Sequence, residues 1–156
     1  MDMRKPPISE VEPEVCTCLA LRQAARRVTR LYDDVLAPAG LGVNQYSILA
    51  RLARVGPSTI QDLARLLVMD RSTLGHLLRP LEKRGLVRLQ VSKQDGRIRV
   101  TALTPAGRAA VAKGRPLWAQ AQRRFASAFG DKSALDLRTV LKKVAIADYG
   151  DSANER

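Results

Sequence analysis

The stretch STIQDLARLLVMDRSTLGHLLRPLEKRGLVRLQVSKQDGRIRVTAL, residues 58–103, carries helix, turn and strand signals in close succession. Ser58 and the glutamine three residues later match a capping box, which predicts a helix over 59–67. Asp70, separated from that helix by a three-residue turn, is the next residue suited to an N-cap and opens a second predicted helix over 71–84. Two capped helices joined by such a turn are typical of a helix-turn-helix.

A two-stranded ribbon is predicted directly after the second helix. Gly85 is suited to the left-handed position that ends a helix. Apolar and polar residues then alternate, which indicates antiparallel strands over 87–92 and 97–103. The order of two helices and a ribbon predicts a winged helix, in which the second helix enters the major groove of DNA.

The tip of this ribbon is basic. Lys93, Arg97 and Arg99 crowd it, and Asp95 is its only acid. A hairpin tip has about the width of the minor groove, whose negative potential attracts arginine. We expect Asp95 to pair with Arg97 or Arg99 and hold the tip in shape. The alternative is an exposed charged hairpin that only prevents edge-to-edge pairing.

The second helix presents polar groups on one face and leucines on the other. Hydroxyl, arginine and histidine side chains suit base edges and phosphates. Gly75 lowers helix stability by about 1 kcal/mol relative to alanine, which suggests close approach of the DNA backbone. Pro80 removes one helical hydrogen bond and should bend the helix. The outward residues are Asp70, Arg71, Ser72, Thr73, His76 and Arg79, and the inward residues are Leu74, Leu77, Leu78 and Leu81.

Helices are predicted before and after this segment of the chain. One begins with Pro13 as its first residue and ends near Leu36, before Pro38 and Gly40. Asn44 is the expected N-cap of the next helix. Apolar stripes on the terminal helices have no partner layer within one chain, so a second copy is expected to cover them. The other predicted helices span 45–54, 105–129 after the Thr104 cap, and 133–147.

Net charge points to a polyanionic partner. The 156 residues carry a formal charge of +12, and residues 51–108 contain twelve Lys/Arg against four Asp/Glu. A basic patch on one folded segment is the expected footprint of a nucleic-acid binder, and a basic surface that is merely solvated is the alternative. No apolar run reaches membrane-spanning length and no signal peptide is visible, which predicts a cytoplasmic, nucleoid-associated protein with no membrane partner.

An enzymatic function is not expected. His76 is the single histidine, and no spacing of carboxylates, hydroxyls or glycines indicates a nucleophile, a phosphate loop or a metal site. We therefore expect no catalytic residues, no metal and no cofactor.

The motifs QYSILARLAR (45–54), STIQDLARLLVMDRSTLGHLLRPLEKRGLV (58–87) and the D-G-R wing tip (95–97) together resemble the MarR family of regulators over about residues 14–147. The resemblance implies a mainly α (α+β) fold, a winged helix-turn-helix with N- and C-terminal dimerisation helices. It also implies that 71–84 is the recognition helix, that Asp95 and Arg97 form the wing-tip pair, and that a homodimer binds an inverted-repeat operator in double-stranded DNA.

The expected organisation and DNA contacts follow from this reading. The divisions are a flexible arm 1–13, a dimerisation helix 14–40, the DNA-binding region 41–104, dimerisation helices 105–148 and a tail 149–156. The region 41–104 is called the reader below. The expected DNA-binding residues are Ser58, Thr59, Asp70, Arg71, Ser72, Thr73, His76, Arg79, Lys93, Asp95, Arg97 and Arg99.

The resemblance leaves the controlling signal open. Members of the family answer to small aromatic acids or phenols, or, in another branch, to oxidants through one cysteine near the start of the first helix. Cys18 matches that cysteine and Tyr32 matches a tyrosine that contacts it, whereas Arg22 and Val43 replace two further tyrosines. Cys16 is about 200° away from Cys18 around a helix, so the two cannot pair.

Three functional hypotheses therefore remain at this point. The first is a homodimeric repressor released by a small aromatic or phenolic ligand. The second is a regulator that senses organic hydroperoxide through Cys18, with Arg22 and Tyr32 as neighbours. The third is an architectural protein that coats DNA without sequence preference.

Overall fold

A computed structural model describes residues 16–150 and confirms a mainly helical winged-helix fold. The predicted arm 1–13 and most of the predicted tail 149–156 lie outside these residues. None of the described helices is long and apolar enough to cross a membrane. In chain order the elements are α1 Thr17–Leu36, α2 Val43–Val55, α3 Ile60–Leu67, α4 Arg71–Lys83, β1 Val87–Val91, β2 Arg99–Leu103, α5 Pro105–Phe129 and α6 Asp131–Ile146.

Helix α1 begins later than the sequence indicated. Cys16 has an extended backbone (φ −72°, ψ 107°) and its Sγ accepts the Leu19 N–H at 3.5 Å, so Cys16 is the N-cap. Pro13, which the sequence indicated as the first helical residue, lies outside the described residues. Hydroxyl and carboxylate side chains are the usual acceptors at an N-cap, and here a thiol takes that role.

Helix α2 begins at Val43, two residues before the start of the predicted helix 45–54. The Asp33 Oδ1 on α1 accepts the Val43 N–H at 2.7 Å, and the Gln45 Oε1 accepts the Gly42 N–H at 3.2 Å. These acceptors allow the helix to start at Val43, so the predicted Asn44 cap is wrong. The decisive carboxylate lies ten residues upstream and becomes a neighbour only when the chain folds.

The start of α3 also differs by one residue from the prediction. Thr59 is its N-cap: the Thr59 Oγ1 accepts the Asp62 N–H at 3.1 Å and donates to Asp62 Oδ2 at 2.7 Å. Ser58 instead exchanges two backbone hydrogen bonds with Thr101, of 3.0 and 2.8 Å. The capping box on Ser58 is therefore wrong, because pairing with β2 holds that residue in extended conformation.

Helix α4 and the strands follow the prediction more closely. Asp70 caps α4, the helix continues through Pro80 to Lys83, and Gly85 follows it at φ +67°. The strands are shorter than predicted, because the ladder runs only from Val87 opposite Leu103 to Val91 opposite Arg99. Seven residues, 92–98, therefore form the wing tip.

Helix α5 connects the reader to the helices around it. Thr104 caps it as predicted, with its Oγ1 accepting the Gly107 N–H at 3.0 Å. A Cβ on Gly107 would overlap the Leu86 carbonyl oxygen, and a Cβ on Gly114 would lie 2.8 Å from the Tyr46 ring. The two glycines therefore let α5 pack closely against the reader. The largest fully buried side chains are Leu36, Ile48, Leu49, Leu63, Leu74 and Leu81.

Candidate nucleic-acid interface

Helix α4 divides into a buried face and an exposed face. Leu74 and Leu81 are fully buried and Leu78 is 8% exposed, as the sequence pattern predicted. The opposite face is open to solvent and presents no large apolar side chain. Its exposed polar residues are Arg71, Ser72, Thr73, His76 and Arg79, together with the Asp70 cap.

Asp70 and Thr73 bind each other at the start of this helix. Asp70 Oδ1 accepts the Thr73 N–H at 2.7 Å, and Thr73 Oγ1 donates to Asp70 Oδ2 at 2.6 Å. The hydroxyl bond from Thr73, followed by the Thr73 backbone N–H, lowers the pKa of Asp70 below its ordinary value. The carboxylate thus positions the helix terminus, and the Thr73 hydroxyl keeps only its acceptor capacity.

The two residues expected to contact DNA before α3 are also engaged within the protein. Ser58 is half-buried and its Oγ donates to the Gly56 carbonyl at 3.0 Å. The Thr59 hydroxyl is committed to Asp62. Their side chains hold the α2–α3 corner and the start of α3.

The wing tip is built by backbone hydrogen bonds. The Ser92 N–H donates to the Ile98 carbonyl at 2.8 Å, and the Ile98 N–H donates to the Asp95 carbonyl at 3.0 Å. The Asp95 Oδ1 accepts the backbone N–H of Arg97 at 2.9 Å. Asp95 therefore pairs with Arg97, one of the two predicted partners, through the Arg97 backbone N–H and not through its guanidinium group.

Among residues 16–150 the cations of the wing have no acidic partner. Lys93, Arg97 and Arg99 are exposed, and within residues 16–150 no carboxylate lies within 4 Å of them. Their positive charge is consequently available to an external anion.

A groove between α4 and the wing was not foreseen from sequence. It encloses about 340 Å³, with Arg79 on one wall and Arg99 on the other. Gly75 and Leu89 also line it, and Leu89 remains 52% exposed. Strand alternation placed Leu89 on the same face as the buried Val87, so the sequence signal favoured an interior position.

A second cavity, of about 320 Å³, lies where α2 meets α5. The rings of Tyr46 and Trp118 are stacked there, with centroids 6.4 Å apart and planes at 26°. Arg51 and Arg54 line the same cavity. Burial raises the pKa of Tyr46, and the nearby Arg115 acts in the opposite direction. The cavity thus combines aromatic surface with positive charge.

The three residues of the redox hypothesis do not form one site within a subunit. Cys18 and Arg22 are exposed, whereas Tyr32 is 8% exposed. Cys18 and Tyr32 are fourteen residues apart on the continuous helix α1, which separates them by about 21 Å along its axis. Contact between them requires a second subunit. Within the described part of the chain no three His, Cys, Asp or Glu residues are grouped as metal ligands.

Comparison with known proteins identifies the architecture. A family model described as MarR family matches residues 39–98. No curated protein is significantly similar to the chain. A probable transcriptional regulator from Pseudomonas aeruginosa is 29% identical, covers 85% of this chain and 99% of its own, and superimposes with a TM-score of 0.77.

Two further structures contain DNA. The M. tuberculosis transcriptional regulator MosR, in complex with DNA, is 33% identical, with a TM-score of 0.74 over 83% of this chain and 93% of its own. A transcriptional repressor named CouR, bound to a 23-mer DNA duplex, is 28% identical, with a TM-score of 0.75 over 85% of this chain and 94% of its own. CouR bound to p-coumaroyl-CoA is 25% identical, with a TM-score of 0.78 over 91% of this chain and all of its own.

Proposed function

Because this chain belongs to the MarR family of transcriptional regulators, we propose that it works as a homodimer that binds an inverted-repeat operator in double-stranded DNA and represses transcription. The observation that carries this proposal is the common exposure of the polar face of α4 and the cations of the wing. Arg71, Ser72 and His76 lie on that face, and Arg97 lies at the tip. Side chains of this kind suit base edges and phosphates.

Binding to duplex DNA tests the proposal directly. DNA fragments from the promoter of the protein's own gene would be compared with a random duplex at fixed salt concentration. A sequence-specific regulator should favour its site by at least roughly 10³-fold. Equal affinity for both would favour the architectural hypothesis, and no binding at low salt would exclude both hypotheses.

The wing is tested by one substitution. We expect Arg97→Ala to weaken DNA binding and to leave the oligomeric state unchanged, because it removes an exposed cation that has no carboxylate within 4 Å among residues 16–150. Unchanged affinity would contradict the role of the wing. Arg123→Ala on α5 is the matched control, since it removes one exposed arginine outside the reader.

The homodimer is supported by apolar surface on α1, α5 and α6. A cleft of about 690 Å³ lies between these helices, lined by residues such as Leu21, Phe125 and Leu137. Large apolar side chains of α6 beside this cleft, including Leu135, Val140 and Leu141, are exposed in the single chain. We infer that a second copy fills the cleft, and that two-fold symmetry places the two α4 helices about one DNA turn apart, roughly 34–36 Å.

Release by a ligand is supported by the aromatic cavity at the α2–α5 junction. Tyr46 and Trp118 offer stacking surfaces, and Arg51 and Arg54 offer positive charge. An aromatic carboxylate or phenolate matches both features. Because Gly114 brings α5 against the Tyr46 ring, a ligand that shifts this ring would shift the reader relative to α5.

Calorimetric titration with p-coumarate, p-coumaroyl-CoA and salicylate tests this part of the proposal. We expect at least one of these anions to bind and to reduce DNA affinity, and Arg51→Gln to weaken its binding. If all three anions leave DNA binding unchanged, the aromatic-ligand hypothesis fails for these compounds.

The redox alternative rests on the exposure of Cys18 near the start of α1, where the helix dipole favours thiolate. Under this hypothesis organic hydroperoxide dissociates the wild-type complex with DNA, whereas Cys18→Ser binds DNA and no longer responds. Cys16→Ser is the matched control, because Cys16 is also exposed but caps the helix. A wild-type complex that ignores hydroperoxide would rule the alternative out.

A further inference from the structure

A cavity between α1 and the end of α5 has no role in the proposed function. It encloses about 440 Å³, a volume typical of small-molecule sites. Three arginines line it, Arg27 and Arg30 from α1 and Arg124 from α5. The rings of Phe125 and Phe129 form an apolar side, stacked with centroids 5.5 Å apart and planes at 25°. We call it the distal cavity, because it lies at the end of α5 away from the wing.

The distal cavity is carried by elements outside the reader. Phe125 follows the Thr104 cap by twenty-one residues on the continuous helix α5, which corresponds to about 31 Å along the helix axis. Arg27 and Arg30 belong to α1, which also lies outside residues 41–104. The proposed contact between DNA and the reader therefore leaves the positive charge of this cavity unexplained.

Acidic groups of the described chain do not neutralise these arginines. Within residues 16–150 no carboxylate lies within 4 Å of Arg27, Arg30 or Arg124. Among those residues Asp34 is the only acid that lines the cavity, so three cations against one carboxylate leave a net charge of +2. A second copy would not supply the missing negative charge, because helices α1, α5 and α6 carry thirteen Lys/Arg against four Asp/Glu. The cavity therefore suits an external anion.

The lining of the cavity fits the three parts of a nucleotide. Guanidinium groups bind phosphate through paired N–H donors, and a net charge of +2 matches a phosphate monoester dianion. Phe129 is 50% exposed, so its ring is open to stacking by a planar base. Asp34 is exposed, and its carboxylate accepts hydrogen bonds such as those donated by ribose hydroxyls or a base amino group.

We propose that the distal cavity binds a nucleoside phosphate, with the three arginines on the phosphate, Phe129 against the base and Asp34 on a hydroxyl or amino group. The site is separate from the cavity at the α2–α5 junction, because the two share no lining residue. Val28 and Phe125 also line the cleft proposed for the second copy, so a bound nucleotide would contact side chains at the edge of that interface. This inference goes beyond the proposed function and does not depend on DNA binding.

Calorimetric titration of the full-length protein with AMP, adenosine and inorganic phosphate tests the proposal. We expect AMP to bind more tightly than adenosine, which lacks the anion, and more tightly than inorganic phosphate, which lacks the ring. AMP should also raise the melting temperature, because a ligand that binds only the folded state stabilises it. Equal affinities for AMP and inorganic phosphate would indicate a non-specific anion site only and would overturn the proposal. Absence of AMP binding at millimolar concentration and low salt would overturn it as well.

Single substitutions distinguish this cavity from the other cationic surfaces of the protein. We expect Arg30→Gln and Arg124→Gln each to weaken AMP binding by about tenfold or more, because each removes a charge-assisted hydrogen bond to phosphate. Arg26→Gln is the matched control, since Arg26 is an exposed arginine of α1 that does not line the cavity. Phe129→Ala should weaken binding of AMP and leave that of inorganic phosphate unchanged. Equal AMP affinities of the Arg30→Gln and Arg26→Gln variants would contradict the assignment.

The oligomeric state separates a ligand from a second subunit as the occupant of the cavity. Phe129→Asp places a carboxylate beside the three arginines, so it should weaken AMP binding and leave the mass measured by light scattering unchanged. A monomeric Phe129→Asp variant beside a dimeric wild type would show that the second copy covers the cavity. That result would overturn the nucleotide site.

Discussion

Two glycines inside helices, Gly107 and Gly75, differ in how closely other parts of the protein approach them. Gly107, in the first turn of α5, lies against the Leu86 carbonyl oxygen, and a Cβ there would overlap that backbone atom. Gly75, in α4, has only the flexible end of Ile60 within reach of a Cβ. The first glycine is required by the packing of the folded chain, and the second is not.

Alanine substitutions at the two glycines should change the free energy of unfolding in opposite directions. Gly107→Ala should lower the free energy of unfolding by about 1–3 kcal/mol, because steric overlap with a backbone carbonyl cannot be relieved by a rotamer change. Gly75→Ala should raise the free energy of unfolding by up to about 1 kcal/mol through helix propensity. Urea unfolding of both variants provides the measurement. Equal effects of the two substitutions would contradict this account of α5 packing.

Asp70 gives the stability of α4 a pH dependence. Hydrogen bonds from Thr73 favour the ionised carboxylate and lower the pKa of Asp70 in the folded protein below its ordinary value of 3.8. The stabilising contribution is therefore present above pH 3.8 and is lost as the pH falls through the lowered pKa. We expect the melting temperature of Asp70→Ala to lie below that of the wild type at pH 7 and to approach it below pH 3.8. Ser72→Ala, which removes no titrating group from the same helix, should show no such convergence.

The wing combines a short ladder with a long, ordered tip. Five residue pairs connect β1 and β2, and the seven residues beyond them rely on Ser92 and Asp95 for their turns. Because Asp95 binds the backbone of Arg97, it orients the segment that carries the cations and leaves their charge unneutralised. The acid is thus compatible with the proposed contact between the tip and DNA even though it repels phosphate.

Two substitutions at one position separate the structural and electrostatic effects of Asp95. Asp95→Asn keeps an oxygen acceptor for the Arg97 N–H and removes a negative charge, so DNA affinity should rise. Asp95→Ala removes the same charge but also the acceptor, so the tip should loosen and affinity should be lower than for Asp95→Asn. Fluorescence anisotropy with one labelled duplex provides the measurement. Equal affinity of the two variants would show that the hydrogen bond does not organise the tip for binding.

Helix α5 relates the reader to the apolar surface of the whole molecule. One part of it packs on the reader through Gly107 and Gly114, and a later part lines the cleft shared with α1 and α6. Several apolar side chains around this region are exposed in a single chain, including Leu135 at 57% and Val140 at 54%. The reader and the proposed subunit interface therefore share one rigid element. A second copy would set the separation of the two recognition helices through α5.

Disruption of the cleft should abolish the dimer and, with it, tight binding to an inverted repeat. We expect Leu141→Asp to yield a monomer, because Leu141 lines the cleft and a carboxylate there would be buried without a partner. Val55→Asp is the matched control, since Val55 is exposed on α2 outside the cleft. Light scattering after size-exclusion chromatography measures the mass of each. A dimeric Leu141→Asp variant would place the interface elsewhere.

Much of the fold was predictable because its signals are local. The Asp70 cap, the Gly85 stop, the Thr104 cap and the two strands of the wing all depend on residues within a turn or a strand of each other. The motifs shared with the family lie within residues 45–97. The division of α4 into a leucine face and a polar face follows from helical periodicity. These features were confirmed because no distant contact competes with them.

The remaining features depend on residues that only folding brings together. Asp33 starts α2 from the end of α1, and β2 holds Ser58 out of the helix that it was expected to cap. The groove exists because α4 packs beside the wing. This packing brings Arg79 and Arg99 to one groove although they are twenty residues apart in sequence. A local pattern reports which side chains share a face of one element, and it cannot report which faces meet. The polar face of α4 was therefore visible in the sequence, whereas the groove between α4 and the wing follows only from tertiary packing.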